Sequence, residues 1–382
     1  MDDLFCCERC GNRNPRYIGH LNGKPYCRRC ISFSGVEVKD APRQPSASPL
    51  VLHYPLSPEQ KDISDKIRNN CSNGINTLVY AVCGAGKTEL VYGAIADCLR
   101  KGGRVAFAVP RRDVVIELYW RLKDAFPEDK VIAVYGGHTN VLLGDVVVLT
   151  THQLYRYPKI FDLLVMDEID AFPYRGDETL AAMAGRAARG STIVMSATPS
   201  AKDLKIYQQP GRAILELRTR FHKREIPIPK IKVYPYFVSL LKTIVLLRRY
   251  QKERHPVFVF APTISECEKT FRFLRHFVPY GAAVHSQKKK REEIIRAFKR
   301  GKYKFLVTTS VLERGVTVKN LQVIVLHSDR EDIYDSSTLI QIAGRVGRKF
   351  DAPGGDVWFF AGNRTPAMER SVSEIKYCNT FL

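Results

Sequence analysis

The sequence predicts an α/β protein, with two parallel-sheet domains behind a small cysteine-rich module. Three observations carry that expectation. From about residue 56, short continuous runs of β-branched and apolar residues alternate with longer segments of helical spacing. That is the pattern of strands buried on both faces and connected by helices. The alternation starts again near residue 257, after a proline-bearing stretch. Ahead of both, four cysteines stand as two C-x2-C pairs within the first 30 residues.

Residues 1–40 form the module. The pairs are Cys7, Cys10 and Cys27, Cys30. Two residues between thiolates let one segment wrap a tetrahedral metal, and two such knuckles complete a closed Zn²⁺ site with no position left for water. Cys6 could replace Cys7, at poorer spacing. Forty residues bury too little to fold unaided, so the metal supplies stability. The acidic N-terminus shows no charged-then-apolar leader, which argues against export and a disulfide framework. Cys71, Cys83, Cys98, Cys267 and Cys378 read as small buried hydrophobes.

Residues 41–55 are rich in proline and read as a linker that keeps the module apart from the first sheet domain. Residues 56–218 hold that first domain, with strands expected at 77–83, 105–110, 131–135, 146–151, 163–167 and 192–196. Helices are expected at 88–101 and 113–126. Residues 219–235 are the connector. Residues 236–382 hold the second domain, with strands at 257–261, 282–285, 305–309, 323–327 and 356–361 and helices at 265–277 and 287–300. No run approaches the roughly 18 apolar residues of a membrane span. Hydrophobic residues are 45% and charged residues 26%, which excludes bulk disorder, collagen and coiled coil.

The segment AVCGAGKT, 81–88, lies between a strand and a helix. Gly84, Ala85 and Gly86 let the backbone curl its N–H groups toward phosphate oxygens. Lys87 would reach the β- and γ-phosphates of ATP, the Thr88 hydroxyl would ligate Mg²⁺, and Glu89 comes next. Ala81 stands where the strict phosphate-loop pattern has glycine. A glycine-rich turn with a surface lysine is the plainer alternative. LLVMDEID, 163–170, ends a strand in carboxylates at the edge where α/β sheets bind ligands. Asp167 would hold Mg²⁺ and Glu168 would polarise an attacking water. An acidic helix start is the alternative there.

Three later segments come in order: SAT at 196–198, TTSVLERGVTV at 308–318 and QIAGRVGR at 341–348. With the two above they resemble motifs I, II, III, V and VI of superfamily 2 helicases and translocases. The resemblance covers residues 56–362 and implies two RecA-like domains with ATP between them. It implies arginine fingers at Arg345 and Arg348, a water-ordering or coupling role for Gln341, and a nucleotide contact at Gly315. YPLSPEQ, 54–60, resembles the adenine-reading Q motif, with Gln60 on the base. PRRDVVIEL, TTHQLYR and VFVFAPTISE resemble motifs Ia, Ib and IV. They imply nucleic-acid contacts at Arg111, Thr151, Thr263 and, from motif V, Thr309. Capping or surface duty is open for each of these four. Asp-Glu-Ile-Asp is neither the DEAD nor the DEAH box, which argues against RNA.

A four-cysteine module ahead of a motor of this size resembles the ComFA family of competence proteins from naturally transformable Gram-positive bacteria. The family implies an ATP-driven single-stranded-DNA translocase at the cytoplasmic face of the membrane. Its partners there are the DNA-uptake channel and a ComFC-type protein. Charge agrees with a nucleic-acid partner: the chain carries +21, of which +16 falls on residues 216–382. Lys288, Lys289, Lys290 and Arg291 are candidates for the DNA track, or a solvated helix start. Whether the module binds DNA or protein stays open. The rivals are a duplex-unwinding helicase and an ATP-gated scaffold.

Overall fold

Strands rich in valine, leucine and isoleucine need cover on both faces, and helices provide it. The computed structural model describes residues 5–381 apart from 34, 48, 83, 171–175, 221–222, 310–317, 349–350 and 353. It divides into two compact units, Met1–Ala81 with Gly86–Leu217, and Arg218–Leu382 with Val82–Ala85.

The first unit opens with a hairpin, β1 (Ile18–Leu21) and β2 (Lys24–Cys27). Asn22 and Gly23 join them at φ 50° and 75°. Two left-handed residues match the strand twist, the reason Asn-Gly suits this turn. Then come α1 (Pro58–Ser72), β3 (Asn76–Ala81), α2 (Lys87–Leu90), α3 (Tyr92–Arg100), β4 (Val105–Val109), α4 (Arg112–Ala125), β5 (Val131–Val134) and β6 (Val146–Thr150). After a 3₁₀ turn at Thr151–Arg156 stand β7 (Phe161–Asp167), α5 (Glu178–Ala187), β8 (Ala188–Ser196), α6 (Ala201–Tyr207) and β9 (Arg212–Leu217). Among the described residues the sheet has seven strands, all parallel, in the order β5-β6-β4-β7-β8-β3-β9. β4 and β6 are buried along their whole length, as continuous apolar runs require. β9 is not evident in the sequence because it is a half-exposed edge strand, with Arg212 and Glu216 breaking the run.

The proline-rich stretch differs from the expected free linker. It forms no helix or strand among the described residues, yet it is fastened to the first sheet domain. The Arg43 guanidinium meets Asp129 at 2.9 Å and Asp145 at 2.6 Å. It also donates to the Leu99 and Gly103 carbonyls at 2.8 and 3.1 Å. Arg104 reaches back to Asp40 and to the Ala41 carbonyl, each at 2.7 Å. Burial pushes the Asp40 carboxyl up, but Arg104 and Arg189 outweigh it and hold it below the usual range. The partners of Arg43 lie 56 to 102 residues away in sequence, so local composition could not announce them.

The second unit contains β10 (Lys230–Val233), α7 (Tyr236–Lys252), β11 (Val257–Phe260), α8 (Ile264–Leu274), β12 (Gly281–Val284), α9 (Arg291–Lys299), β13 (Phe305–Thr308), β14 (Gln322–Val325), α10 (Ser336–Ala343), β15 (Val357–Ala361) and α11 (Pro366–Asn379). Among the described residues its six strands are parallel, in the order β10-β15-β14-β11-β13-β12. The core runs through Leu247, Val259, Phe305, Ile324 and Phe360. The connector thus contributes a strand, β10, whose sequence Lys-Ile-Lys-Val carries too little apolar signal to be seen. The helix expected at 287–300 begins only at Arg291, with Lys288, Lys289 and Lys290 in the turn before it.

Candidate functional site

β3 delivers the chain into the phosphate loop, and two glycines turn it. Gly84 has φ 87° and Gly86 φ 77°, both left-handed. A Cβ on Gly86 would also stand 2.5 Å from Gln60 Nε2. Gln60 is buried beside the loop, but its amide oxygen already accepts from the Ser57 N–H at 2.9 Å. The Gln60 N–H in turn donates to Ser57 Oγ, closing a capping box at the start of α1. Ala85 and Thr88 are buried, and Lys87 begins α2. Glu89, expected near nucleotide, forms an ion pair with Arg121 of α4 at 2.5 Å.

Asp167 ends β7, with one oxygen 3.9 Å from Lys87 Nζ. Burial pushes its carboxyl above the usual range; Lys87 opposes this and Glu168 adds to it. A partly buried acid raised in this way, beside a lysine and near the Thr88 loop, suits a divalent cation as counter-charge. Glu168 turns away from the strand at φ 58°, with its N–H donating to Asp167 Oδ1 at 2.8 Å. A glutamate at positive φ is strained backbone, the kind held in place at functional sites.

Asp170 makes a link between two segments that the motifs alone do not reveal. Its two oxygens accept from Ser196 Oγ and Thr198 Oγ1, each at 2.9 Å. The segment after β7 is thereby tied to the one after β8. The signal is present in the sequence, since hydroxyls flank Ala197 and an acid occupies the last place of DEID.

In the second unit Gln341 is buried on α10, and Arg345 is buried just past its end. Arg348 donates to the Gly344 carbonyl at 3.1 Å. Arg220, also unpredicted, is buried and donates to the carbonyls of Gly344, Val346 and Gly347 at 3.0–3.2 Å. One guanidinium therefore staples the turn that carries Arg345 and Arg348. Gly315 lies outside the described residues.

The four residues expected on nucleic acid are placed unevenly. Arg111 is half-buried at the start of α4. Thr151 and Thr309 are buried, at 1% and 7% exposure, and the Thr151 hydroxyl is shut off from the surface. Thr263 caps α8, accepting from the Glu266 N–H at 3.2 Å and donating to its carboxylate at 2.7 Å. Threonine between a strand and a helix serves the helix's open N–H groups first.

The cysteines converge. Sγ atoms of Cys7 and Cys30 are 3.7 Å apart, as are those of Cys10 and Cys27, and all four lie within 4.8 Å of one another. Tetrahedral zinc with arms of about 2.3 Å has sulfur–sulfur edges of about 3.8 Å. Cys6 is exposed and is not one of the four. Burial pushes the Cys10 thiol up to about 11, a penalty that a bound cation would remove.

The module is not separate from the first sheet domain. Cys7, Cys27 and Cys30 pack with Tyr155, Leu180 and Met183. Phe33 stacks on His152 and tilts against Tyr155, with ring centroids 6.1 and 5.7 Å away. Glu37 pairs with Arg186 at 3.0 Å. If zinc is the ion the cluster holds, wild type should carry one per chain by elemental analysis and the Cys27→Ser/Cys30→Ser variant none. The substitution should also lower the melting temperature of the first unit, because the packed face goes with it. Zinc-free wild-type protein purified without chelator would sink the assignment.

Residues 57–206 match the DEAD/DEAH box helicase family and residues 238–350 the helicase conserved C-terminal domain. Among solved structures the chain is similar to S. cerevisiae Dbp5 bound to RNA and ADP BeF3. That match has a TM-score of 0.63 and 14% identity, over 86% of this chain and 92% of that one. It is similar also to RecG bound to a three-way DNA junction, with TM-score 0.62 and 21% identity over 86% of this chain and 45% of that one. At such identities the likeness shows the fold, two RecA-like domains. The competence protein ComFA of Bacillus subtilis is 35% identical over 98% of this chain and 86% of its own length. That of Streptococcus pneumoniae is 32% identical over 98% and 90%. With the four-cysteine cluster ahead of a helicase-like core, and relatives matched nearly end to end, the chain belongs to the ComFA family of competence proteins.

Proposed function

We propose that the protein hydrolyses ATP and uses the cycle to move along single-stranded DNA as transforming DNA is taken up. The observation that carries this is the carboxylate pair after β7. Asp167 is partly buried beside Lys87, and Glu168 is held at positive φ next to it. In this reading the phosphate loop and Lys87 bind the β- and γ-phosphates, and Thr88 with Asp167 would hold Mg²⁺. The cation, when bound, neutralises phosphate charge. Glu168 takes a proton from water as its oxygen bonds to the γ-phosphorus and the bond to the β–γ bridging oxygen breaks. By resemblance Arg345 and Arg348 act as arginine fingers and Gln341 orders the water. The Asp170 link to Ser196 and Thr198 gives the hydrolytic loop a route to the strand-binding segments of its own unit.

The +16 on residues 216–382 supports a polyanionic track. A ComFC-type partner, an uptake channel and a place at the inner membrane face come from the family reading. No helix among the described residues is long and apolar enough to cross a membrane. The test is phosphate release with and without single-stranded DNA. Stimulation, with displacement of streptavidin from a biotinylated strand, is the expected result. An unstimulated rate on every nucleic acid would overturn the motor. Separation of a tailed duplex, with a blunt one left intact, would point instead to unwinding.

A further inference from the structure

A groove of about 930 Å³ runs along α9 in the second unit. It begins at the turn after β12 and ends past the C-terminus of the helix, which itself spans about 13 Å over nine residues. Its cations are Lys289, Lys290, Arg296, Arg300 and Lys302, all exposed, while Tyr303 is half-buried in the lining. Lys288 also lines it, but its ammonium is committed to Glu268 at 2.8 Å, with His285 on the same carboxylate at 2.9 Å. Ile294 and Ala297 add apolar lining between the charges. Two exposed carboxylates oppose them loosely, Glu293 at 4.0 Å from Lys290 and Glu292 at 3.8 Å from Arg296, contacts that water screens and a phosphate can displace.

We propose that this groove is an accessory single-strand site that guides DNA along the flank of the second unit. The proposal rests on reading the protein as a single-strand motor. Charge alone would also suit an anionic bilayer, but shape decides between them. A bilayer is flat and meets ridges, whereas a concave channel with an aromatic in its lining suits a flexible strand. Phosphates of that strand meet the cations, and a base face meets Tyr303. Neither requires a particular sequence, as a motor needs. Because Lys288 is held by Glu268, the four-cation run seen in the sequence is not the unit of binding. The spaced set Arg296, Arg300 and Lys302 takes that place.

The test uses the full chain and fluorescent poly-dT of two lengths. Arg296→Gln/Arg300→Gln/Lys302→Gln should flatten the slope of log K against log salt by up to about 2, at about 0.7 per phosphate contact. Tyr303→Ala should weaken long poly-dT roughly 5- to 150-fold, the range for one stacked base, and Tyr303→Phe should restore it. Short poly-dT, which the main track alone can hold, and basal ATP hydrolysis should be unchanged. Wild-type slope and affinity in the triple variant, or Tyr303→Ala binding like wild type, would overturn the groove. So would variants that lose only phosphatidylglycerol vesicles and keep poly-dT. Wild-type protein that ignores poly-dT would overturn the motor reading itself, a different result.

Discussion

Glu168→Gln is expected to bind ATP as wild type does and to hydrolyse it at least about 10²-fold more slowly, the scale of losing a general base. The substitution keeps the size and one acceptor oxygen and removes the charge and with it the basicity. The backbone N–H of residue 168 would still donate to Asp167, so the loop should keep its place. Lys87→Ala should fail earlier, at binding, because it removes the cation that faces Asp167 at 3.9 Å and the phosphates. A fluorescent nucleotide titration beside single-turnover hydrolysis separates the two. Equal hydrolysis by wild type and Glu168→Gln would remove Glu168 from the mechanism. Weak nucleotide binding by Glu168→Gln would make it a structural residue instead.

Arg43→Ala should destabilise the first unit by about 3–5 kcal/mol, the cost of stranding a buried charge. Asp129 carries the effect, since its side chain is only 3% exposed and Arg43 is itself 7% exposed. For a unit of this size the melting temperature should fall by about 6–20 °C. Arg43→Ala/Asp129→Asn should recover much of the loss, because the stranded charge is gone. The pairs also give a pH signature. Asp40 is held below the usual carboxylate range, so its contribution is present above about pH 3.9 and fades as pH falls through the folded value. A fall of less than about 2 °C for Arg43→Ala would show that the segment is a linker after all.

Legibility in the sequence tracks the range of the interactions. Val105–Val109 and Val146–Thr150 announce themselves because burial on both faces leaves an unbroken apolar run. The phosphate loop and the cysteine knuckles are legible because their chemistry is local, set by spacings of two or three residues. Arg43 and Arg220 are invisible, being arginines among many until the fold brings their carboxylates and carbonyls to them. β10 is hidden for a related reason, as edge strands can be polar and still pair. The threonines read as nucleic-acid contacts show the converse. Their position after a strand is right for the motif, but capping claims the hydroxyl of Thr263 and burial that of Thr151.

The docked module has a consequence in time. Its ligands are made first, yet the surfaces that hold it are made late. Arg43 waits for Asp145, 102 residues on, and Glu37 waits for Arg186, 149 residues on. At roughly 5–20 residues per second, synthesis leaves the newborn module undocked for about 5–30 s. Through that interval the hairpin with the Asn22-Gly23 turn and a metal on the four cysteines would have to hold it together. Zinc supply during translation, more than zinc affinity of the finished protein, would then set the yield of correctly assembled chains.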